Sequence, residues 1–291
     1  MEDKPGFPPN VAMLVSILAV STASILIRMS EAPPITIASY RMVLSTLILA
    51  PFYVRRGGLR EFREMDEGRR LSLVAVGVVL AIHFASWITS LSLTSVASSV
   101  IFVHIDPIFV ALVSHFILGE KVTRRTAIGV AVAFVGATFI AMGDMGAGAG
   151  SLYGDALALI GGVMLGIYIL GGRHLRQSLD LISYVTPVYA TAALVLLAAS
   201  TVLGAPLIGY PASEYVIFLA IAVVPMIFGH TVYNWALRYV SAPIVSLSLL
   251  GEPVGASILA YLLLGESPGQ LVVLGGAMTL SGILLSAYMS E

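Results

Sequence analysis

Residues 105–121 read IDPIFVALVSHFILGEK, and residues 251–267 read GEPVGASILAYLLLGES. Sliding the chain by 146 positions lays one stretch on the other. Asp106-Pro107 then falls on Glu252-Pro253, and Leu118-Gly119-Glu120 on Leu264-Gly265-Glu266. The register runs on without a gap, setting Ser95 on Ser241, Gly129 on Gly275 and Gly136 on Gly282, with nine identities over 48 positions. Apolar segments match by chance often. Here the matches are mostly polar, proline and glycine landmarks, which marks an internal duplication.

Around these copies the chain is apolar almost throughout. Of its 291 residues 58% are hydrophobic and 11% charged, with mean hydropathy +0.97, net charge -1 and no cysteine. A soluble domain carries roughly 25% charged residues, so this composition excludes a cytosolic enzyme, a disordered chain and a disulfide or thiolate–metal scaffold. The near-neutral charge also argues against a nucleic-acid partner. A membrane-crossing helix needs about 20 apolar residues. Ten such runs are present, at 11–28, 35–54, 71–91, 96–118, 126–142, 152–171, 181–203, 214–236, 242–264 and 271–288. Between them lies turn chemistry such as Ala32-Pro33-Pro34, Arg56-Gly57-Gly58, Gly146 to Ser151 and Gly204-Ala205-Pro206. The N-terminal residues 1–10 lack the small-residue cleavage site of a signal peptide, so the first helix is expected to be retained.

Lys and Arg collect in cytoplasmic loops. Six arginines lie between the second and third runs, and thirteen of the fifteen basic residues fall on one side if both termini are cytoplasmic. The repeat unit then holds five helices. An odd number turns the second copy over in the bilayer, and the charges agree: Lys121 to Arg125 is basic, whereas its counterpart 267–271 is not. The expected fold is all-α and polytopic, ten transmembrane helices as two inverted five-helix repeats, 1–142 and 143–291. Inverted repeats are an architecture of secondary transporters.

Three motifs carry a resemblance: the acid-Pro and Leu-Gly-Glu landmarks in the fourth helix of each half, Ala32-Pro33-Pro34 with Ala38-Ser39-Tyr40-Arg41, and Tyr233-Asn234-Trp235-Ala236-Leu237-Arg238. Over almost its whole length the chain resembles the EamA family of the drug/metabolite transporter superfamily. The resemblance implies a polytopic permease of the cell membrane, typically an exporter of amino acids, aromatic ones among them, or of related metabolites. Asp106 departs from the small polar or uncharged residue usual before that proline.

Only Arg41, Asp106 and Glu252 are charged and lie more than one turn inside a run. An ionisable group at mid-bilayer faces a cavity or a partner by default. Asp106 and Glu252 sit halfway along their runs, each before a proline that frees the carbonyl four residues back, on Val103 and Leu249. Both are candidate substrate-amine or proton sites; pairing with Arg41, or fixing a kink, is the competing reading. Arg41, Pro107 and Pro253 are read as structural or gating, with Arg41 toward the outer face. His83 and Trp87 share one face of the third helix, as do His230, Tyr233 and Asn234 on the eighth, and Trp87 falls on Tyr233 in the repeat register. These seven residues, the two acids included, are the expected substrate-binding set, suited to a flat or amphipathic solute. Trp87 and Trp235 also read as interfacial anchors. His104 lies about 200° from Asp106 around a helix turning 100° per residue, so the two cannot share one narrow cavity. No metal-ligand spacing appears, no cofactor is expected, and the glycine-rich 143–150 lacks the Gly-Lys-Ser/Thr ending of a phosphate loop. Gly162 with Gly166, and Gly129 with Ala133 and Gly136, have the spacing of close helix contacts, inside the monomer or in a homodimer.

The expected function is a secondary permease working by alternating access on a small metabolite, amino acids first, with protons as a possible coupling ion. Nucleobases, sugar derivatives and drug-like cations are the alternative substrates; a membrane-embedded enzyme or a channel is the alternative class.

Overall fold

The computed structural model of the chain describes residues 5–93, 96–104, 106–116, 123–144, 152–264 and 269–287. The landmarks at 118–120 and 265–266, Ser95, and the turn 146–151 lie outside them. Every one of the ten apolar runs carries helix. In chain order these are α1 (Pro9–Val20), α2 (Ala23–Met29), α3 (Pro34–Arg55), α4 (Gly58–Glu64), α5 (Glu67–Leu93), α6 (Val96–Val103), α7 (Asp106–Phe116), α8 (Arg124–Asp144), α9 (Leu152–Arg176), α10 (Leu181–Val202), α11 (Ala212–Ile221), α12 (Val232–Ala236), α13 (Ala242–Leu249), α14 (Gly251–Leu264) and α15 (Gln270–Ala287). A π-helical segment, Ala222–Thr231, joins α11 to α12. Among the described residues seven helical stretches are long and apolar enough to cross a membrane. Large apolar side chains such as Leu14, Leu18, Leu47 and Leu194 face outward, as lipid contact requires. The protein is a polytopic membrane protein.

Local chemistry sets where the helices stop. Pro34 opens α3 at a position whose N–H would have no partner anyway, and Gly57 ends its run with φ +75°, a conformation that suits glycine. The Asp180 side chain accepts from the Ser183 N–H at 3.0 Å and caps α10. The arginine-rich stretch after α3, expected as plain loop, contains α4. There Arg60 pairs with Glu64 one turn on, and the Ser183 hydroxyl donates to Glu61 at 2.5 Å.

Four of the long runs are interrupted. Ser21 and Thr22 turn their hydroxyls back onto the carbonyls of Ile17 and Ala19, both at 2.7 Å, where α1 gives way to α2. The runs holding the two acids are interrupted at His104 and at Leu250, where Leu250 keeps right-handed helical angles while its N–H shifts to the Leu247 carbonyl. Pro107 and Pro253 fall in the first turns of α7 and α14, where a missing N–H breaks no intrahelical bond. In the eighth run Pro225 removes a hydrogen bond inside the widened π segment.

Packing interleaves the two parts of the chain. The α5 helix lies against α9 and α10, and α9 also touches α6 and α7, while α1 packs on the π segment, α12 and α14. The closest long pairing is α8 with α15. A Cβ built on Gly136 would lie 2.6 Å from the Gly275 carbonyl and 2.6 Å from the Thr279 nitrogen. One built on Gly282 would lie 2.6 Å from the Gly129 carbonyl and 2.6 Å from the Ala133 nitrogen. Shifting by 146 turns the first set of contacts into the second. Since 136 meets 275 and 129 meets 282, the two helices run antiparallel. Likewise Gly162 and Gly166 meet α6 and α7, so these small residues serve internal contacts.

Candidate functional site

All four interruptions border one cavity. Its wall holds Val20 and Ala23 from the α1–α2 break, Val103 and His104 from the α6–α7 break, and Leu249 and Glu252 from the α13–α14 break. His230 and Tyr233 come from where the π segment passes into α12, and the continuous helices add Arg41, His83, Trp87 and Leu165. Irregular backbone inside a membrane protein is tolerated where it lines a cavity or is buried in protein. Only about 20 Å³ between these atoms admits the centre of a water molecule. That is room for a water or two, so the site is contracted in this conformation.

The side chains are held from behind. His83 donates from Nδ1 to the Gly161 carbonyl at 2.9 Å and stacks on Trp87, the rings 5.9 Å apart and 11° from parallel. His230 Nδ1 shares a 2.6 Å hydrogen bond with the Tyr233 hydroxyl, and its ring lies 6.2 Å from that of His83. Arg41, fully buried, places its guanidinium 4.1 Å above the Phe84 ring and directs Nε to the Met226 sulfur at 3.5 Å. His104 donates from Nδ1 to the Val100 carbonyl at 2.9 Å, which leaves Nε2 facing Glu252 Oε2 at 3.7 Å.

Five of the seven expected binding residues therefore meet in one wall: His83, Trp87, His230, Tyr233 and Glu252. Asp106 and Asn234 stand outside it. The Ser246 hydroxyl donates to Asp106 Oδ2, tying the start of α7 to α13. Asn234 donates to the Tyr168 hydroxyl at 2.8 Å and to the His230 carbonyl at 2.6 Å, bracing the histidine. Arg41, read as structural or gating, lies in the wall beside Glu252. His104 is the residue that sequence reasoning left out. The 200° offset already separated it from Asp106, but periodicity does not say which of the two faces inward. Among the described residues no three His, Asp or Glu side chains gather as a metal would require.

Several wall atoms are buried without a hydrogen-bond partner: Arg41 Nη1 and Nη2, Trp87 Nε1, His104 Nε2 and Glu252 Oε1. Buried polar groups are nearly always satisfied, so a cluster of orphans in one cavity marks a place for water or a polar ligand.

Comparison with known proteins fits this geometry. A solved crystal structure superposes with TM-score 0.80 over 97% of both chains at 16% identity, a likeness of fold. An uncharacterized transporter of Archaeoglobus fulgidus is 24% identical over 95% of both chains. A probable terminal-alkyne amino-acid exporter of Streptantibioticus cattleyicolor is 28% identical over 62% of this chain and 60% of its own. The EamA-like transporter family matches residues 9–142 and again 152–288, nearly the full length of the polytopic helical chain and both copies of the acid-Pro landmark. The chain belongs to that family.

Proposed function

We propose that this protein is a secondary permease, an exporter of small metabolites with amino acids foremost, working by alternating access through the central cavity. One observation carries the reading: every interruption of a long helix borders the same buried cavity, which is lined by unpartnered polar atoms. Broken helices meeting at a central site are how transporters expose backbone and side chains to a solute within the bilayer. The antiparallel, register-exchanging contact of α8 with α15 supports two inverted five-helix repeats, 1–142 and 143–291. Such halves can exchange conformations, opening the contracted site first to one side and then to the other. The substrate meets His83, Trp87, His230, Tyr233 and Glu252, with Asp106, Asn234 and the breaks ahead of Pro107 and Pro253 holding the wall in place. The arginine-rich stretch 55–70 faces the cytoplasm of a cell-membrane protein with both termini inside, and protons are the coupling ion to test. The relative named for amino-acid export favours amino acids over nucleobases, sugar derivatives or drug-like cations.

Counterflow tests the reading. Proteoliposomes preloaded with a pool of amino acids and nucleobases, with the proton gradient collapsed, are expected to accumulate external tracer amino acid saturably. Non-saturable leak would make the protein a channel, and chemical change of the tracer an enzyme. Exchange confined to nucleobases would move the substrate class.

A further inference from the structure

The orphaned atoms of the cavity fall into two chemical sets. Arg41 Nη1, Arg41 Nη2 and Trp87 Nε1 are donors only. Glu252 Oε1 belongs to a carboxylate, which offers only acceptors. His104 Nε2 lies 3.7 Å from Glu252 Oε2 and also faces the Leu249 carbonyl that Pro253 leaves without an intrahelical donor.

Arg41 is equally incomplete. Among the described residues no Asp or Glu oxygen comes within 4.0 Å of its guanidinium, and its only contacts of note are a ring face and a sulfur. Arg41 is attracted by the Glu252 charge across the cavity but makes no hydrogen bond to it, and a buried guanidinium with both Nη groups unpartnered at a cavity wall awaits an anion. Arg41 and Glu252 thus border the same space without closing into an ion pair.

Resting on the transporter reading, we infer that the cavity recognises the zwitterion of an α-amino acid: Arg41, with the Trp87 indole N–H, takes the carboxylate, and Glu252 takes the ammonium. A guanidinium fork matches a carboxylate with two parallel hydrogen bonds. An ammonium brings three donors, some of which the Glu252 carboxylate can accept. The zwitterion is neutral overall, as the site is, so both wall charges find partners at once. An amine or drug-like cation leaves Arg41 unmatched, a carboxylic acid or sugar phosphate leaves Glu252 unmatched, and an uncharged nucleobase matches neither. The stacked His83–Trp87 pair and the His230–Tyr233 pair remain for the side chain.

Ligand-induced shifts in thermal unfolding of the detergent-solubilised full chain test this apart from transport. Each of the twenty L-amino acids is offered alone, and the strongest binder is then compared with its decarboxylated amine and its deaminated acid. The amino acid is expected to raise the unfolding temperature, with each analogue at least about 100-fold weaker, as truncating one side of a buried charge pair requires. Arg41→Gln is expected to abolish the shift while leaving the ligand-free unfolding temperature unchanged, because the guanidinium closes no ion pair and its one hydrogen bond is to the Met226 sulfur. If Arg41 were a structural pillar, that temperature would fall. Glu252→Gln is expected to weaken the amino acid more than the deaminated acid. An amine that binds as well as its amino acid, or binding unaffected by Arg41→Gln, overturns the inference, as does a chain that binds none of the twenty. Failure of counterflow alongside amino-acid binding would strike the transporter reading and leave the zwitterion site standing.

Discussion

Position 246 decides what the carboxylate of Asp106 touches. The Ser246 hydroxyl donates to Oδ2, whereas the residue 146 places earlier, Val100, has nothing to donate. Glu252, the repeat partner of Asp106, therefore lacks the equivalent bond and turns to the cavity beside His104. One hydroxyl separates a carboxylate fixed to a neighbouring helix from one left open to a solute. Ser246→Ala leaves Asp106, fully buried, with neither oxygen hydrogen-bonded among the described residues. The expected loss is about 1–3 kcal/mol of stability, read as a lower thermal midpoint in detergent. Asp106→Asn and Glu252→Gln are both expected to reduce counterflow with folded protein still in the membrane. Full exchange by both would make the two carboxylates structural.

At the level of the helix, the glycines differ sharply in what surrounds them. A Cβ at Gly136 runs into backbone at 2.6 Å, and backbone has little room to yield, whereas one at Gly276 meets only the Val254 side chain at 3.9 Å. Gly136→Ala is expected to destabilise by about 1–3 kcal/mol through overpacking. Gly276→Ala is expected to be neutral or to gain about 0.5–1 kcal/mol, because alanine is the better helix former. Thermal midpoints of the two variants, measured side by side, check both. The helices themselves were legible in the amino-acid sequence, since an apolar run of bilayer length has few other uses. The interruptions at His104 and Leu250 were half legible: the prolines announced a disturbance, but not that the break falls ahead of them. The π segment was not, because Pro225 reports one missing hydrogen bond and says nothing of the register that replaces it. Arg41 shows the same limit. Its depth along α3 follows from counting, but the face it presents depends on how α3 is rotated against the Phe84 ring and Met226, which no single helix encodes.

Across the whole molecule, neither part of the chain is complete alone. The α1 helix is satisfied by the π segment, α12 and α14, while α9 fills the groove of α5, α6 and α7. Residues 1–142 expressed alone are expected to be degraded or aggregated. Co-expression with residues 143–291 as separate chains is expected to restore a monodisperse complex, read by size-exclusion chromatography of the tagged first fragment. Recovery of a stable first fragment by itself would show that the interleaving is dispensable.

That interleaving also sets a clock. The Ser16 hydroxyl donates to the carbonyl of Gly229 at 3.0 Å, 213 residues further along the chain. At a synthesis rate of about 5–20 residues per second, the first helix waits roughly 10–40 s before its partner leaves the ribosome. Through that interval α1 must stay in the bilayer without its native neighbours, so its own apolar surface has to suffice for insertion. Among the described helices α1 is made before the others, yet it is among the last to reach its final place.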